Sequence, residues 1–381
     1  MVLRSIFKGI LTVLVAVFVF ATLGPMLYGL SMGTGMPQEG KPKAPVQAVV
    51  VERFNMHMQN RVADALDGVL TVEKTYWLSD HDPVAPKPNP EKFGTYDSAS
   101  QMEDFLLAAR ELLQGQETFF KTTTPDHERA PVLTYLDETI MSITWKQNVA
   151  NIMYTFCEVK IAHPSQFRRF LTGNRYGSEL RQTTSEMAQS VNAVVASSGD
   201  FYAFRPYGVC IYNGQAYRGN RYLDTCHITE SGDLIFTKAG SLVGIDQVQK
   251  FARENDVRFS LAFGPILIQD GKAVKTEYYP VGEIKDDHVR ASISQLGELH
   301  YLIITANHDD RLNVCLVPDN LEMYQRHLLN MGIDNAYCLD GGQTAVIVHN
   351  GQVVNAVEKG VQRPISDIFY FATAIPSSEG N

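Results

Sequence analysis

Residues 336–348 read Ala-Tyr-Cys-Leu-Asp-Gly-Gly-Gln-Thr-Ala-Val-Ile-Val: the end of a helix, an apolar run, an Asp-Gly-Gly break and a second apolar run. The reading is two strands interrupted by a tight bend, because Asp and Gly suit turn backbone and the flanking runs are short and β-branched. Asp340 then sits at a strand end. Gly341 and Gly342 let backbone N–H groups approach a ligand closely, and Thr344 adds a hydroxyl. Taken alone, Asp-Gly-Gly is more often a turn than a site.

The same grammar continues outward. From about Ile140 onward, short β-type runs alternate with turn dipeptides, and Asn213-Gly214, Asp270-Gly271 and Asn350-Gly351 each predict a hairpin. Two helical patterns interrupt them. One carries Ile245, Val248, Phe251 and Ala252; the other carries Leu321, Tyr324, Leu328 and Met331, started by Asp319-x-x-Glu322 and ended by Gly332. Upstream, Ser100-x-x-Glu103 reads as a capping box for a helix with Met102, Phe105, Leu106, Ala109, Leu112 and Leu113 on one face, stopping near Gly115. No internal repeat and no regular strand–helix alternation is present. The expected fold class is α+β, a mixed, largely antiparallel sheet domain with a few packed helices.

The chain has 381 residues, a formal net charge of −9, 45% apolar and 20% charged residues. This composition excludes a disordered, collagenous or disulfide-dense protein and accommodates about two domains. The acidic balance argues against a nucleic-acid partner. Residues 9–30 carry no charge and would make roughly 33 Å of helix, enough for a bilayer core. With Arg4 and Lys8 before it, this segment is expected to be an uncleaved membrane anchor that leaves the remainder extracytoplasmic; a cleaved signal peptide is the competing reading. Residues 31–45, with Gly33, Gly35, Gly40, Pro37, Pro42 and Pro45, read as a stalk, and Pro83, Pro86, Pro88 and Pro90 as a second stiff, extended stretch. The expected organisation is 1–36 anchor, 37–139 linker and accessory region, and 140–376 working domain. Five cysteines, an odd number, imply no disulfide framework; Cys210 and Cys226 are near enough for a bridge, and small buried thiols are the plainer alternative.

Five motifs recur in order: Ser198-Gly199-Asp200-Phe201-Tyr202, Ala262-Phe263-Gly264-Pro265 followed by Asp270-Gly271, Arg290-Ala291-Ser292, Asp340-Gly341-Gly342-Gln343-Thr344, and Arg363-Pro364-Ile365-Ser366-Asp367. Together, over about residues 190–375, they resemble the phosphodiester glycosidase family. Two departures accompany the resemblance: the first motif stands where many members have Asn-Gly-Gly-Phe-Phe, and Gln343 and Thr344 replace Gly and Ser.

The resemblance implies hydrolysis between an anomeric sugar carbon and a phosphodiester oxygen. A phosphate leaving group is a weak base, so it needs charge stabilisation more than protonation, and Arg supplies that with a bidentate fork. One carboxylate to activate water or stabilise the oxocarbenium ion then suffices. By the resemblance, Asp340 is the general base or nucleophile and Asp200 the other candidate, while Arg290 and Arg363 hold the phosphate. Gly341, Gly342 and Thr344 supply close backbone approach and a polar contact, Gly199 and Gly264 shape the pocket walls, and Ser366 joins the substrate-binding set. No cofactor and no metal are expected: Asp286-Asp287-His288 and His308-Asp309-Asp310 have ligand-type residues but lie in polar stretches. Arg168-Arg169 reads as a surface pair. The expected protein is a membrane-anchored extracytoplasmic hydrolase acting on sugar-1-phosphodiesters of cell-envelope or exported polysaccharide. The alternative is a non-catalytic envelope carbohydrate-binding protein on the same scaffold.

Overall fold

The computed structural model describes residues 77–127, 130–149, 152–200, 202–219, 222–276, 279–280, 288–308 and 320–375. The expected anchor at 9–30, the stalk, Phe201, Cys315, Asp319 and the acidic pairs 286–287 and 309–310 fall outside these residues. Among the described residues no helix is long and apolar enough to cross a membrane.

Among the described residues the strands form four sheets. A nine-stranded sheet runs Phe93–Tyr96, Val132–Leu136, Ile140–Val149, Ile152–Ile161, His300–His308, Arg290–Gly297, Ala336–Leu339, Ile266–Gln269, Lys272–Ala273. A five-stranded sheet runs Gln352–Val353, Ile347–His349, Val195–Ser198, Asp367–Phe371, Phe167–Leu171. A three-stranded sheet is centred on Thr225–Thr229, and Cys210–Tyr212 pairs with Gln215–Arg218 as a hairpin. Every strand pairing is antiparallel. The α+β, antiparallel expectation therefore describes this part of the chain.

Side-chain alternation along the central strands builds two cores. From the Ile152–Ile161 strand, Cys157, Val159 and Ile161 join Ile303, Ile347, Phe369, Phe259 and Cys226 in the space between the sheets. Ile152, Tyr154 and Phe156 point the other way, onto Met102, Phe105, Trp145, Tyr324 and Leu328 beneath the helices. A third cluster covers the outer face of the five-stranded sheet with Met187 and Ala188 of the helix Thr184–Ser190.

The three expected hairpin turns are present. Asn213, Asp270 and Asn350 have φ of 49°, 52° and 51°, each followed by a glycine at positive φ, the conformation that a two-residue turn demands between right-twisted strands. Both later helices form, as Ile245–Glu254 and Leu321–Asn330; the second is capped by Asn320, whose Oδ1 accepts from Met323 N at 3.0 Å.

Several expectations need correction. The helix Ala99–Ala108 is capped at Ser98, whose side chain makes no capping bond, so Ser100 lies inside the helix and opens no capping box. A complete box stands at Thr183, which accepts from Glu186 N while Thr183 N donates to Glu186 Oε2 at 2.7 Å. Two strands from the described part of the expected accessory region, Phe93–Tyr96 and Val132–Leu136, belong to the nine-stranded sheet: Val132–Leu136 pairs with Ile140–Val149 across a turn in which Asp137 N donates to Ile140 O, so a boundary at 139/140 would cut a hairpin. Cys210 and Cys226 are both free and buried, as are Cys157 and Cys338.

Arg168 and Arg169 are buried as well, at 4% exposure each. Successive strand residues face opposite sides. Arg168 therefore reaches the proline-rich strap, donating to Ser79 O and Asp82 O, while Arg169 turns inward to two carboxylates.

Candidate active site

The strand Ala336–Leu339 is wholly buried and lies between Arg290–Gly297 and Ile266–Gln269. Its register pairs Leu339 with Ala291 and Cys338 with Ser292. Carrying that antiparallel register one step further sets Asp340 beside Arg290, at the edge where both strands end. The two charges also bracket one thiol: burial pushes Cys338 up to about 12, with the Arg290 guanidinium opposing and the Asp340 carboxylate reinforcing the rise. Arg290 is 4% exposed.

Asp340 itself is partly exposed as a residue, but its Oδ2 is enclosed and has no hydrogen-bond partner among the described residues. Burial raises its carboxyl above the ordinary carboxylate range; Thr344, Arg363, Arg205 and the Gly341 N–H pull it back toward ionisation. Thr344 is buried and donates from Oγ1 to Gly341 O at 2.7 Å, fixing the bend that presents the carboxylate. Arg363 is exposed, and its backbone N donates to Gln343 O at 3.3 Å. Gln343 Nε2 in turn donates to Val361 O at 3.0 Å. The residue that departs from the family pattern thus ties the Asp340 loop to the segment carrying Arg363.

Two further groups stand at the bend. A Cβ on Gly342, which has φ +63°, would lie 3.1 Å from Glu358 Oε2 and 3.2 Å from His288 Nε2. A carboxylate and an imidazole therefore converge where only glycine leaves room for them. His288 reads in the sequence only as part of a polar, ligand-type cluster, and neither Glu358 nor Arg205 stands out there. Arg205 follows the Ser198–Tyr202 motif by three residues, and its guanidinium lies over the Phe263 ring at 5.1 Å. Phe263 is held by its neighbours: its N–H donates to Tyr337 Oη and its carbonyl accepts from Tyr279 Oη. Gly264, with φ +71°, donates to Cys338 O at 3.2 Å and passes so near Tyr279 Oη that a side chain there would collide with it. Gly264 therefore packs the platform under Arg205.

Asp200 lies elsewhere. Its Oδ1 accepts from Tyr202 N at 2.7 Å and pairs with Arg169 Nη2 at 3.1 Å, while its Oδ2 accepts from Ala262 N at 2.9 Å. Asp367 completes the cluster, with Oδ2 2.8 Å from Arg169 Nη2 and 2.9 Å from Arg169 Nε. Burial works against the Arg169 charge and the two carboxylates outweigh it, holding the guanidinium protonated. Gly199 belongs here too, since a Cβ would collide with the Asp367 carboxylate. Ser366 is fully buried and donates to Asp367 Oδ1 at 3.2 Å. The structure thus gathers Asp340, Arg290, Arg363, Gly341, Gly342 and Thr344 about one bend, and puts Asp200, Gly199 and Ser366 around a separate buried ion cluster with every Asp200 oxygen engaged. The two meet where the Ser198 side chain donates from Oγ to the Thr344 carbonyl.

Residues 191–372, a little under half of the chain, match the family model described as phosphodiester glycosidase. The SPbeta prophage-derived protein YomE of Bacillus subtilis (strain 168) is 24% identical over 205 residues, which is 51% of this chain and 30% of that relative, so the chain spans less than a third of its length. Among solved structures, the catalytic domain of zebrafish N-acetylglucosamine-1-phosphodiester alpha-N-acetylglucosaminidase, auto-inhibited by its pro-peptide, superposes with a TM-score of 0.50 at 16% identity. That superposition covers 62% of this chain and 84% of the zebrafish one, a likeness of fold.

Proposed function

We propose that the domain is a hydrolase of sugar-1-phosphodiesters that breaks the bond between the anomeric carbon and the phosphodiester oxygen. Water adds at the sugar carbon and the phosphate leaves as a monoester. The observation that carries this reading is Asp340, a partly desolvated carboxylate with one oxygen unpartnered among the described residues, at the end of a rigid strand with arginine charge around it. A carboxyl raised by burial is a better base than an ordinary one, and it gains most where its own proton acceptor is free. Arg290 and Arg363, with Arg205 added by the fold, supply the positive charge on which a departing phosphate depends. Asp340 serves as general base or nucleophile. Thr344 and the Gly341–Gly342 backbone hold it in place.

The same reading takes residues 9–30 as a membrane anchor and the domain as extracytoplasmic, with phosphodiester-linked envelope or exported glycan as its substrate. Its test uses the full-length chain, an N-acetylglucosamine-1-phospho-sugar diester and oxygen-18 water. Label on the sugar C1 hydroxyl is the expected outcome. Label on phosphate would mean P–O cleavage, and binding without turnover would leave a carbohydrate-binding scaffold.

A further inference from the structure

Phosphate has its guanidinium partners around Asp340, and the sugar on the other side of the scissile bond needs its own. Two groups at the bend are not yet engaged. Glu358 Oε2 and His288 Nε2 lie 3.1 Å and 3.2 Å from the point that a Gly342 Cβ would occupy, and His288 Cδ2 lies 3.2 Å from the corresponding point on Gly341. The Nε2 edge of the imidazole therefore runs along both glycines, and a carboxylate oxygen converges on it there. Hydrogen bonds of the neighbouring segments hold this arrangement. Gly342 N donates to Val289 O at 3.1 Å, which ties the residue after His288 to the bend. Buried Asn355 donates from Nδ2 to Ala345 O at 2.7 Å and to Ala356 O at 3.0 Å, and buried Asn307 donates from Nδ2 to the same Ala356 carbonyl. The segment that leads into Glu358 is thus fastened to the residue that follows the bend.

Both side chains are partly exposed, so the pair is open to solvent. Among the described residues the Glu358 carboxylate has no hydrogen bond and no ion pair. That decides what it can take. A carboxylate without a cation repels an anionic group, whereas it accepts from a neutral hydroxyl in a charge-assisted bond. The imidazole beside it donates or accepts according to its tautomer. Carboxylate and imidazole together suit two hydroxyls of one ring. The charges acting on Asp340 from Arg205 and Arg363 are of the opposite kind and suit the phosphate.

We infer that Glu358 and His288 bind the glycosyl unit that is released, Glu358 accepting from one ring hydroxyl and His288 bonding a second. The phosphate then lies toward the arginines and the ring toward the glycine pair, and the anomeric carbon that joins them meets Asp340. The pair selects sugars by hydroxyl position, because a site built to bond a hydroxyl rejects the analogue that lacks it. This inference deepens the reading above and rests on it for the class of ligand.

The test is calorimetric binding of an N-acetylglucosamine-1-phospho-sugar diester, and of its 3-deoxy, 4-deoxy and 6-deoxy glucosaminyl analogues, to the full-length chain carrying Asp340→Asn, which separates binding from turnover. At least one analogue is expected to bind about 10- to 100-fold more weakly than the diester. Adding Glu358→Ala should weaken the diester by the same factor and leave that analogue unaffected, since its bond is already missing. His288→Asn should weaken the diester several-fold, spare a different analogue, and serve as the second arm should the alanine variant fail to fold. Folded variants that weaken all four ligands equally or weaken none, or a diester that does not bind, overturn the inference. Hydroxyl-dependent binding that follows Glu358 in a protein failing the oxygen-18 test would sink only the hydrolase reading. Label on the sugar C1 hydroxyl with binding indifferent to Glu358 and His288 would sink only this pair.

Discussion

Two acid–guanidinium clusters, one on the five-stranded sheet and one on the nine-stranded sheet, are built in opposite ways. Around Arg169, with Asp200 and Asp367, the ion-pair side chains have no exposure, and both Asp200 oxygens have partners. Around Asp340, one carboxylate oxygen has no partner among the described residues, and Arg363 is exposed. A buried ion cluster whose carboxylate oxygens are all engaged holds segments in register, because removing its cation strands the carboxylates in a low dielectric. A carboxylate left incomplete beside accessible cations has bonding capacity to offer a substrate. Motif membership alone does not separate the two, since Asp200 and Asp340 both lie in family motifs.

The sharpest way to break this comparison is to exchange the expected outcomes. Asp340→Asn should lower kcat/KM on a sugar phosphodiester by about 10²- to 10⁴-fold with little change in melting temperature. Steady-state kinetics and calorimetry on the same preparation check it, and an unaltered rate would take Asp340 out of the mechanism. Arg169→Met should do the reverse and destabilise the fold by about 3–5 kcal/mol, because two buried carboxylates lose their common cation. Urea unfolding measures that loss, and a variant as stable as the parent would show the cluster to be dispensable.

A smaller effect lies in pH. Burial raises Asp340, so the acid limb of kcat/KM should sit above the ordinary carboxylate value, with the rate falling as pH drops and the base takes up its proton. Thr344→Val removes a hydroxyl that favours the ionised form and also ties the bend, so it should move that limb further upward and lower the plateau rate as well. A limb that moves down in the valine variant would contradict the assignment.

Local chemistry was legible wherever a few adjacent residues decide the backbone. The turns at Asn213-Gly214, Asp270-Gly271 and Asn350-Gly351 follow from left-handed φ preferences that need no distant partner. Helix starts were harder to read. Ser98 and Ser100 offer the same side chain two residues apart, and packing of Met102 and Phe105 against the sheet fixes which one lies outside. The reading of Arg168-Arg169 as surface residues failed for another reason. Arg169 meets a carboxylate 198 positions away, and Arg168 meets a carbonyl 89 positions away, separations at which composition carries no signal. Arg205 and Glu358 are ordinary residues in their own stretches, and His288 reads there as one of a polar cluster; each is notable only for what it faces.

By itself the sequence determined the antiparallel texture, the strand–turn–strand at Asp340 and the set of motifs from which a site could be drawn, since these depend on neighbours along the chain. Tertiary structure decided which charges would be spent on holding strands together and which would remain open to a ligand. That choice depends on desolvation and on hydrogen bonds between remote segments, and these exist only once the sheets have closed on each other.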